Sequence, residues 1–195
     1  MTLGFRVKSG YAIAIALQGP ASSPTAIARQ VVELSDPKIG GTRQPYHHGF
    51  FRHEKNANTI ARLVKIVERC ATESVSALLD DLPGARRAGL VVGSVIDPAQ
   101  VGNLHIRAHA SEGRLFRTVV EDALRAHGVS CTIVVDKQLA TTAATELRCG
   151  ERAIKQTIGD FGKTIGGSWR ADDKAAALAA WLSLTNDLTL HRALN

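Results

Sequence analysis

Near the start of the chain, large and small apolar residues alternate. Tyr11, Ile13, Ile15 and Leu17 are separated by Ala12, Ala14 and Ala16. A period of two sends successive side chains to opposite faces of a strand, and the alanines allow close packing on one of them. Thr2 to Val7 reads as a preceding strand, with "KSG" as the hairpin connection and Gly10 supplying the turn freedom. The loop "QGPASSP" leads to a third strand around Ile27 to Leu34, which "SDPKIGG" ends. From about Asn58 the period becomes helical. Ile60, Leu63, Val64, Val67, Val75, Leu78 and Leu79 form one apolar stripe, with Arg62, Lys65 and Arg69 on the other side, which predicts a helix over about 58–80.

The breaker "LPGARR" is followed by "AGLVVGSVID", a continuous apolar run that predicts a strand over 89–96 buried on both faces. Ser111 is placed to cap a helix over 111–127, with Glu112 in its first turn, Leu115, Val119, Ala123 and Leu124 facing inward and Gly128 at its end. "SCTIVV" (130–135) reads as the fifth strand. Two more helical stretches occupy about 140–157 and 172–186, with the glycine-rich "GDFGKTIGG" between them. The element order is thus β-β-β-α-β-α-β-α-α. It shows no internal repeat and no linker, so residues 1–195 read as a single domain.

Composition narrows the function classes. Hydrophobic residues make up 45% of the chain and the mean hydropathy is −0.02, values of an ordinary globule. No apolar stretch approaches the roughly 20 residues needed to cross a bilayer, so no membrane partner is expected. A secretory signal with Arg6 and Lys8 as its charged region would have only Tyr11 to Leu17 as its apolar core, with no clean A-x-A site after it; the strand reading is preferred. Cys70, Cys131 and Cys149 form no C-x-x-C pair, which suits buried reduced thiols and a cytoplasmic location. The net charge of +6 favours a polyanionic partner, DNA or RNA first and an anionic membrane surface second, although an inert basic surface gives the same number.

The order of three antiparallel strands followed by βα units on one mixed sheet is the layout of the ribonuclease H-like α/β architecture. Particular segments carry a closer resemblance. "LGFRVKSGYAIAI" resembles the first hairpin of RuvC-type and YqgF-type Holliday-junction-resolvase-like proteins, and "LVVGSVID" their central strand. "VVDKQLATTAATEL" resembles the strand-loop-helix that in the YqgF branch carries an Asp-Glu pair and a Thr-Thr, and "DDKAAALAAWLSL" resembles their last helix. The resemblance implies a five-stranded mixed sheet, three antiparallel strands then two parallel, with helices on both faces. It also implies metal-dependent phosphodiester hydrolysis, in which carboxylates from separate elements hold two Mg²⁺ or Mn²⁺ ions.

The family's acids carry over only in part. Asp173 matches the aspartate opening the last helix and Asp136 the acid after the fifth strand, but Lys137 stands where the neighbouring glutamate belongs. The essential first-strand aspartate falls at Phe5 or Arg6, and an arginine repels a cation. Asp97, Asp172 and Glu112 are further carboxylates at strand ends and helix starts, where α/β sheets gather their chemistry and where plain capping acids also sit. The candidate catalytic set is therefore Asp173, Asp136, Glu112 and His109, and the candidate metal set Asp173, Asp172 and Asp97.

"NLHIRAHASEGRLFR" collects His105, His109, Arg107, Glu112, Arg114 and Arg117. It fits either an anion pocket with His109 or Glu112 as acid or base, or histidines bonded within a loop; neither H-E-x-x-H nor another defined zinc spacing appears in it. "QPYHHGFFRH" sets His47, His48 and His53 beside Tyr46, Phe50 and Phe51, either to stack on bases or to tuck the aromatics into the core. "GDFGKT" is no P-loop, because Thr157 occupies the first glycine position. Candidate nucleic-acid contacts are Arg6, Lys8, Arg62, Lys65, Arg107, Arg114, Arg117, Lys155 and Lys163.

Three functions follow. The first is a nucleic-acid-binding protein with a degenerate or rearranged nuclease site. The second is a non-enzymatic scaffold or assembly subunit on the same fold, as a homodimer or with a protein partner. The third is a small phosphotransfer protein, for which the chain is short. Whether it is an enzyme stays open at this level; if it is, it is a metal-dependent nuclease.

Overall fold

The two opening strands form the hairpin that alternation requires. In the computed structural model, which describes residues 1–48, 52–54 and 56–192, β1 (Thr2–Lys8) and β2 (Tyr11–Gln18) pair antiparallel, from Thr2 with Leu17 to Lys8 with Tyr11. Gly10 turns the chain at φ 87°, a value a side chain would oppose. β3 (Thr25–Glu33) adds antiparallel to β2, with a register shift at Ala16/Leu17. A two-residue hairpin follows, β4 (His47–His48) with β5 (Arg52–His53). Phe50 and Phe51 lie outside the described residues.

Helix α1 (Ala57–Asp81) is capped by Asn56, whose side chain accepts the Asn58 and Thr59 N–H groups, and it buries Leu63, Val67, Ala71, Val75 and Leu78. β6 (Arg87–Val92) joins β1 in parallel, and β7 (Ser130–Val135) joins β6 in parallel. The five-stranded sheet runs β3-β2-β1-β6-β7: three antiparallel strands and two parallel additions, as the ribonuclease H-like layout requires. β1 lies at its centre.

The second helix differs from expectation. α2 spans Leu104–Ala126 and is capped by Asn103 through the His105 and Ile106 N–H groups, not by Ser111. Glu112 therefore falls in the third turn instead of the first. Asparagine is as good a cap as serine, and the earlier cap leaves both histidines on the helix. The C-terminal helices also divide differently: α3 (Asp136–Leu147), α4 (Glu151–Ile165) and α5 (Ala171–Arg192). Arg148 in the left-handed region at φ 51° ends α3. "GDFGKTI" belongs to α4, because Gly162 leaves the room into which Trp169 packs and the Trp169 indole N–H donates to the Ile158 carbonyl at 3.0 Å. No helix among the described residues is long and apolar enough to cross a membrane.

Two cores flank the sheet. On one face Leu3, Phe5 and Val7 pack with α1 and α2; on the other Ile13, Ile15, Leu17 and Val91 pack with α3, α4 and α5. On this second face Gly4 and Gly89 are register partners, and α5 lies directly on them. A Cβ on Gly4 would fall onto the Ala176 carbonyl oxygen, and one on Gly89 would come within 2.5 Å of the Ala179 carbonyl oxygen. The Thr2 hydroxyl donates to the Ala180 carbonyl at 2.9 Å, fastening the same contact.

The obstructing atoms are helix backbone, which cannot rotate aside. Gly4→Ala and Gly89→Ala should each cost about 1–3 kcal/mol of stability, with Gly4→Ala at the upper end. Urea titrations of the two variants check this; wild-type midpoints would contradict the close docking.

The three cysteines are free thiols and half-buried, less enclosed than the sequence suggested. Burial pushes the Cys131 thiol up to about 11, with Glu121 adding to the shift and Arg125 opposing it. The thiol is then neutral at pH 8, so Cys131 should resist iodoacetamide there in the native protein and react on unfolding in urea. Peptide mapping by mass spectrometry reads the outcome.

Candidate functional site

Parallel pairing places the C-terminal ends of β1, β6 and β7 at one edge of the sheet. On β1, Leu3, Phe5 and Val7 face α1 and α2, so alternation turns Gly4, Arg6 and Lys8 toward α5. Arg6 is only 8% exposed. Its Nη2 donates to Asp136 Oδ2 at 2.7 Å and its Nε to Asp172 Oδ1 at 3.4 Å. Lys8 Nζ stands 3.2 Å from the same Asp172 oxygen. Asp136 opens α3 directly after β7, and Asp172 sits in the first turn of α5. Both acids therefore meet a helix N-terminus as well as a cation.

Asp173, the match to the aspartate that opens the last helix, does not meet Arg6. Its Oδ1 accepts from Arg29 Nε on β3 at 2.6 Å, and its Oδ2 accepts the Arg170 backbone N–H at 2.7 Å. The second bond is half of a capping box, the third helical residue reaching back to the residue that precedes the helix. Consecutive helical residues point about 100° apart, so Asp172 and Asp173 cannot both face Arg6.

The remaining acids lie on the α2 side. Asp97 caps the short 3-10 turn Pro98–Gln100 through the Ala99 N–H at 3.1 Å and pairs with Arg114 at 3.5 Å. Asp97 is not gathered with Asp172 and Asp173: among the described residues, the group of three or more His, Cys, Asp or Glu residues with converging ligand atoms is His47, His105 and His109.

Glu112 is 1% exposed, and its Oε1 lies 2.6 Å from His47 Nδ1. Burial pushes its carboxyl above the usual range, while the hydrogen bond and charge of His47 pull the other way. His109 Nε2 and His105 Nε2 are 3.2 Å apart. Burial, then the neighbouring His47 and His105, push the His109 imidazole below its ordinary value, favouring the neutral ring. Sequence reading had His105, His109 and Glu112 in one segment and His47 in another, and it did not join them. The overlooked signal was the i, i+4 spacing of His105 and His109, which puts both rings on one helix face.

The candidate cations scatter. Arg107 Nε donates to the Val101 carbonyl at 2.7 Å, and Arg117 is half-buried. Lys155 and Lys163 are on α4, paired with Glu151 and Asp160 at 2.5 and 2.7 Å. Arg62 and Lys65 are exposed on α1 and form no ion pair among the described residues.

Divalent Mg²⁺ or Mn²⁺ needs several oxygen ligands converging on it. The Arg6 guanidinium lies between Asp136 and Asp172 and is bonded to both, while Asp173 is spent on Arg29 and Arg170. The residues present do not fit such an ion.

No protein-family model and no curated protein matches this chain. Solved structures do match. The Thermus thermophilus RuvC structure is 12% identical at a TM-score of 0.52, over 98% of this chain and 96% of that one. T. thermophilus RuvC in complex with Holliday junction substrate is 13% identical at 0.54, over 98% and 94%. The yeast mitochondrial Holliday junction resolvase Ydc2 is 14% identical at 0.48, over 99% and 83%. The two Thermus matches, running almost end to end, establish a RuvC-like, ribonuclease H-like fold.

Replacing Arg6 with alanine leaves Asp136 and Asp172 facing each other without their shared cation. Stability should fall by about 1–3 kcal/mol in urea titrations, and Mg²⁺ affinity measured by calorimetry should rise above that of the wild type. Tight Mg²⁺ binding in the wild type that Asp136→Asn abolishes would contradict this account.

Proposed function

We propose that this chain is a nucleic-acid-binding protein whose fold is that of a resolvase and whose metal-dependent hydrolysis is absent or slow. The carrying observation is Arg6, which bridges Asp136 and Asp172 at the centre of the sheet. A positive charge there does part of a metal's work, neutralising the acids, but it offers no coordination position to activate water.

Binding is supported by the net charge of +6 and by the end-to-end fold match to a RuvC bound to a Holliday junction. Exposed and half-buried cations supply the contacts. Arg62 and Lys65 on α1, with Arg114 and Arg117 on the adjoining α2, are the first set. Lys155 and Lys163, on the other face of the sheet, are the second. Arg6 itself is too buried to meet a phosphate backbone. Recognition through such contacts reads phosphate and shape more than sequence.

The scaffold reading has its own support in the exposed apolar residues Val95, Ile96, Leu104 and Ile106, around and just before the start of α2. Fluorescence anisotropy with four-way-junction, duplex and single-stranded DNA and RNA separates the two. Binding should weaken steeply with salt, and Arg62→Glu with Lys65→Glu should lower affinity about tenfold or more and flatten the salt slope by about 2. Incubation with Mg²⁺ or Mn²⁺ should give little or no cleavage. Absence of salt-sensitive binding to every substrate would favour the scaffold, and brisk cleavage lost in Asp136→Asn would restore a nuclease.

A further inference from the structure

The α2 side of the molecule holds a second polar centre that the RuvC-like site does not use. His105 and His109 lie one turn apart on α2, and His47 comes to them from β4 across the sequence. One ligand nitrogen from each of the three lies within 4.8 Å of the others. The ring centroids are 4.5 Å apart for His47 and His109, 4.5 Å for His105 and His109, and 5.4 Å for His47 and His105. Three imidazoles seldom crowd together without a proton or a metal to share, because their lone pairs repel.

We propose that His47, His105 and His109 form a binding site for a late first-row divalent cation, Zn²⁺ foremost, with Glu112 as the carboxylate that orients His47. Four observations carry this. His105 Nε2 and His109 Nε2 are 3.2 Å apart, and nitrogen ligands at about 2.0–2.1 Å from a tetrahedral Zn²⁺ stand about 3.3 Å apart. His47 Nδ1 is held by Glu112 Oε1 at 2.6 Å, so Nε2 is the nitrogen left to ligate. That Nε2 is buried and has no hydrogen-bond partner, and the His47 side chain is only 4% exposed. The other Glu112 oxygen is likewise buried and unpartnered, 4.0 Å from His109 Nδ1, where a small closure would let it orient a second ligand.

The donor set selects the metal. Three imidazoles suit Zn²⁺ and its neighbours in the series and do not suit Mg²⁺, which takes oxygen ligands. Three protein ligands leave a fourth position for water or another group. The ion would tie the β4–β5 hairpin to α2. This centre lies on the α1–α2 face, separate from Arg6 and its acids, so it stands or falls independently of nucleic-acid binding.

The test uses the full chain, stripped with EDTA and titrated with Zn²⁺ against a chromogenic chelator, with Mg²⁺ as the control. The wild type should take up about one Zn²⁺ with a Kd tighter than about 1 μM, and Zn²⁺ should raise its melting temperature. Affinity should fall about 100-fold or more in His105→Ala with His109→Ala, and about tenfold or more in Glu112→Gln, with Mg²⁺ unable to compete. His109 is exposed, so its replacement should leave the metal-free fold intact; circular dichroism and metal-free melting curves of each variant verify that. Co²⁺ loaded in place of Zn²⁺ should give the intense visible absorption of a four-coordinate ion in the wild type and lose it in His109→Ala. Failure of the wild type to bind Zn²⁺, or equal affinity in a folded double variant, overturns the proposal.

Discussion

The contact on which the rest of this structure depends is the seating of α5 on two glycines. Gly4 of β1 and Gly89 of β6 are register partners and leave a flat floor with no side chain above it. The alanines Ala176, Ala177, Ala179 and Ala180 let the helix backbone come down onto that floor. Small residues on both sides bring a helix and a sheet closer than larger side chains would allow, and every buried atom of the pair gains dispersion contacts. The same seating fixes where α5 begins. Its first turn arrives over the C-terminal end of β1, and only therefore can Asp172 reach Arg6 and Lys8.

Charge organises that edge of the sheet. Two helices open there with aspartates, Asp136 on α3 and Asp172 on α5, and like charges so close need a counter-charge. In a metal-dependent nuclease that counter-charge is a cation from solution. In this chain it is covalently part of β1, as Arg6, with Lys8 beside it and Arg29 serving Asp173. A side-chain cation is always present and cannot activate a water, so the exchange favours a stable site over a reactive one. The His47–Glu112 pair on the other face is a different case: a buried carboxylate matched to an imidazole whose second nitrogen has no partner. Unsatisfied buried nitrogen is costly, and a bound ion is one way to satisfy it.

Much of the fold is legible in the sequence, because periodicity is a local property. The alternation of Tyr11 to Leu17, the stripe from Leu63 to Leu78 and the apolar run at Leu90 to Val92 each specify an element without reference to anything distant. The resemblance to RuvC-type proteins put the missing first-strand aspartate at Phe5 or Arg6, and of the two it is Arg6 that meets the acids. Boundaries were less legible. Asn103 and Ser111 are both good caps, and only the packing of Ala108 and Glu112 against the rest of the molecule makes the earlier one the start of α2. Glycines in "GDFGKTI" read as a loop, yet Gly162 serves a helix, because Trp169, seven residues later, fills the space a side chain would have taken.

The partners of the charged groups were decided by the tertiary structure. Whether Asp172 or Asp173 meets Arg6 depends on the rotation of α5 about its axis, which the glycine floor sets and no local pattern reveals. Arg29 reaches Asp173 only because β3 lies at the edge beside β2. His47 meets His105 and His109 only because the β4–β5 hairpin folds over α2, across more than fifty residues of intervening chain. By itself the sequence determined which residues could form strands and helices and in what order, since those choices rest on backbone geometry and near neighbours. Which acid each cation holds, and which histidines share one site, are long-range pairings, and they exist only once the sheet and its two helical layers have closed.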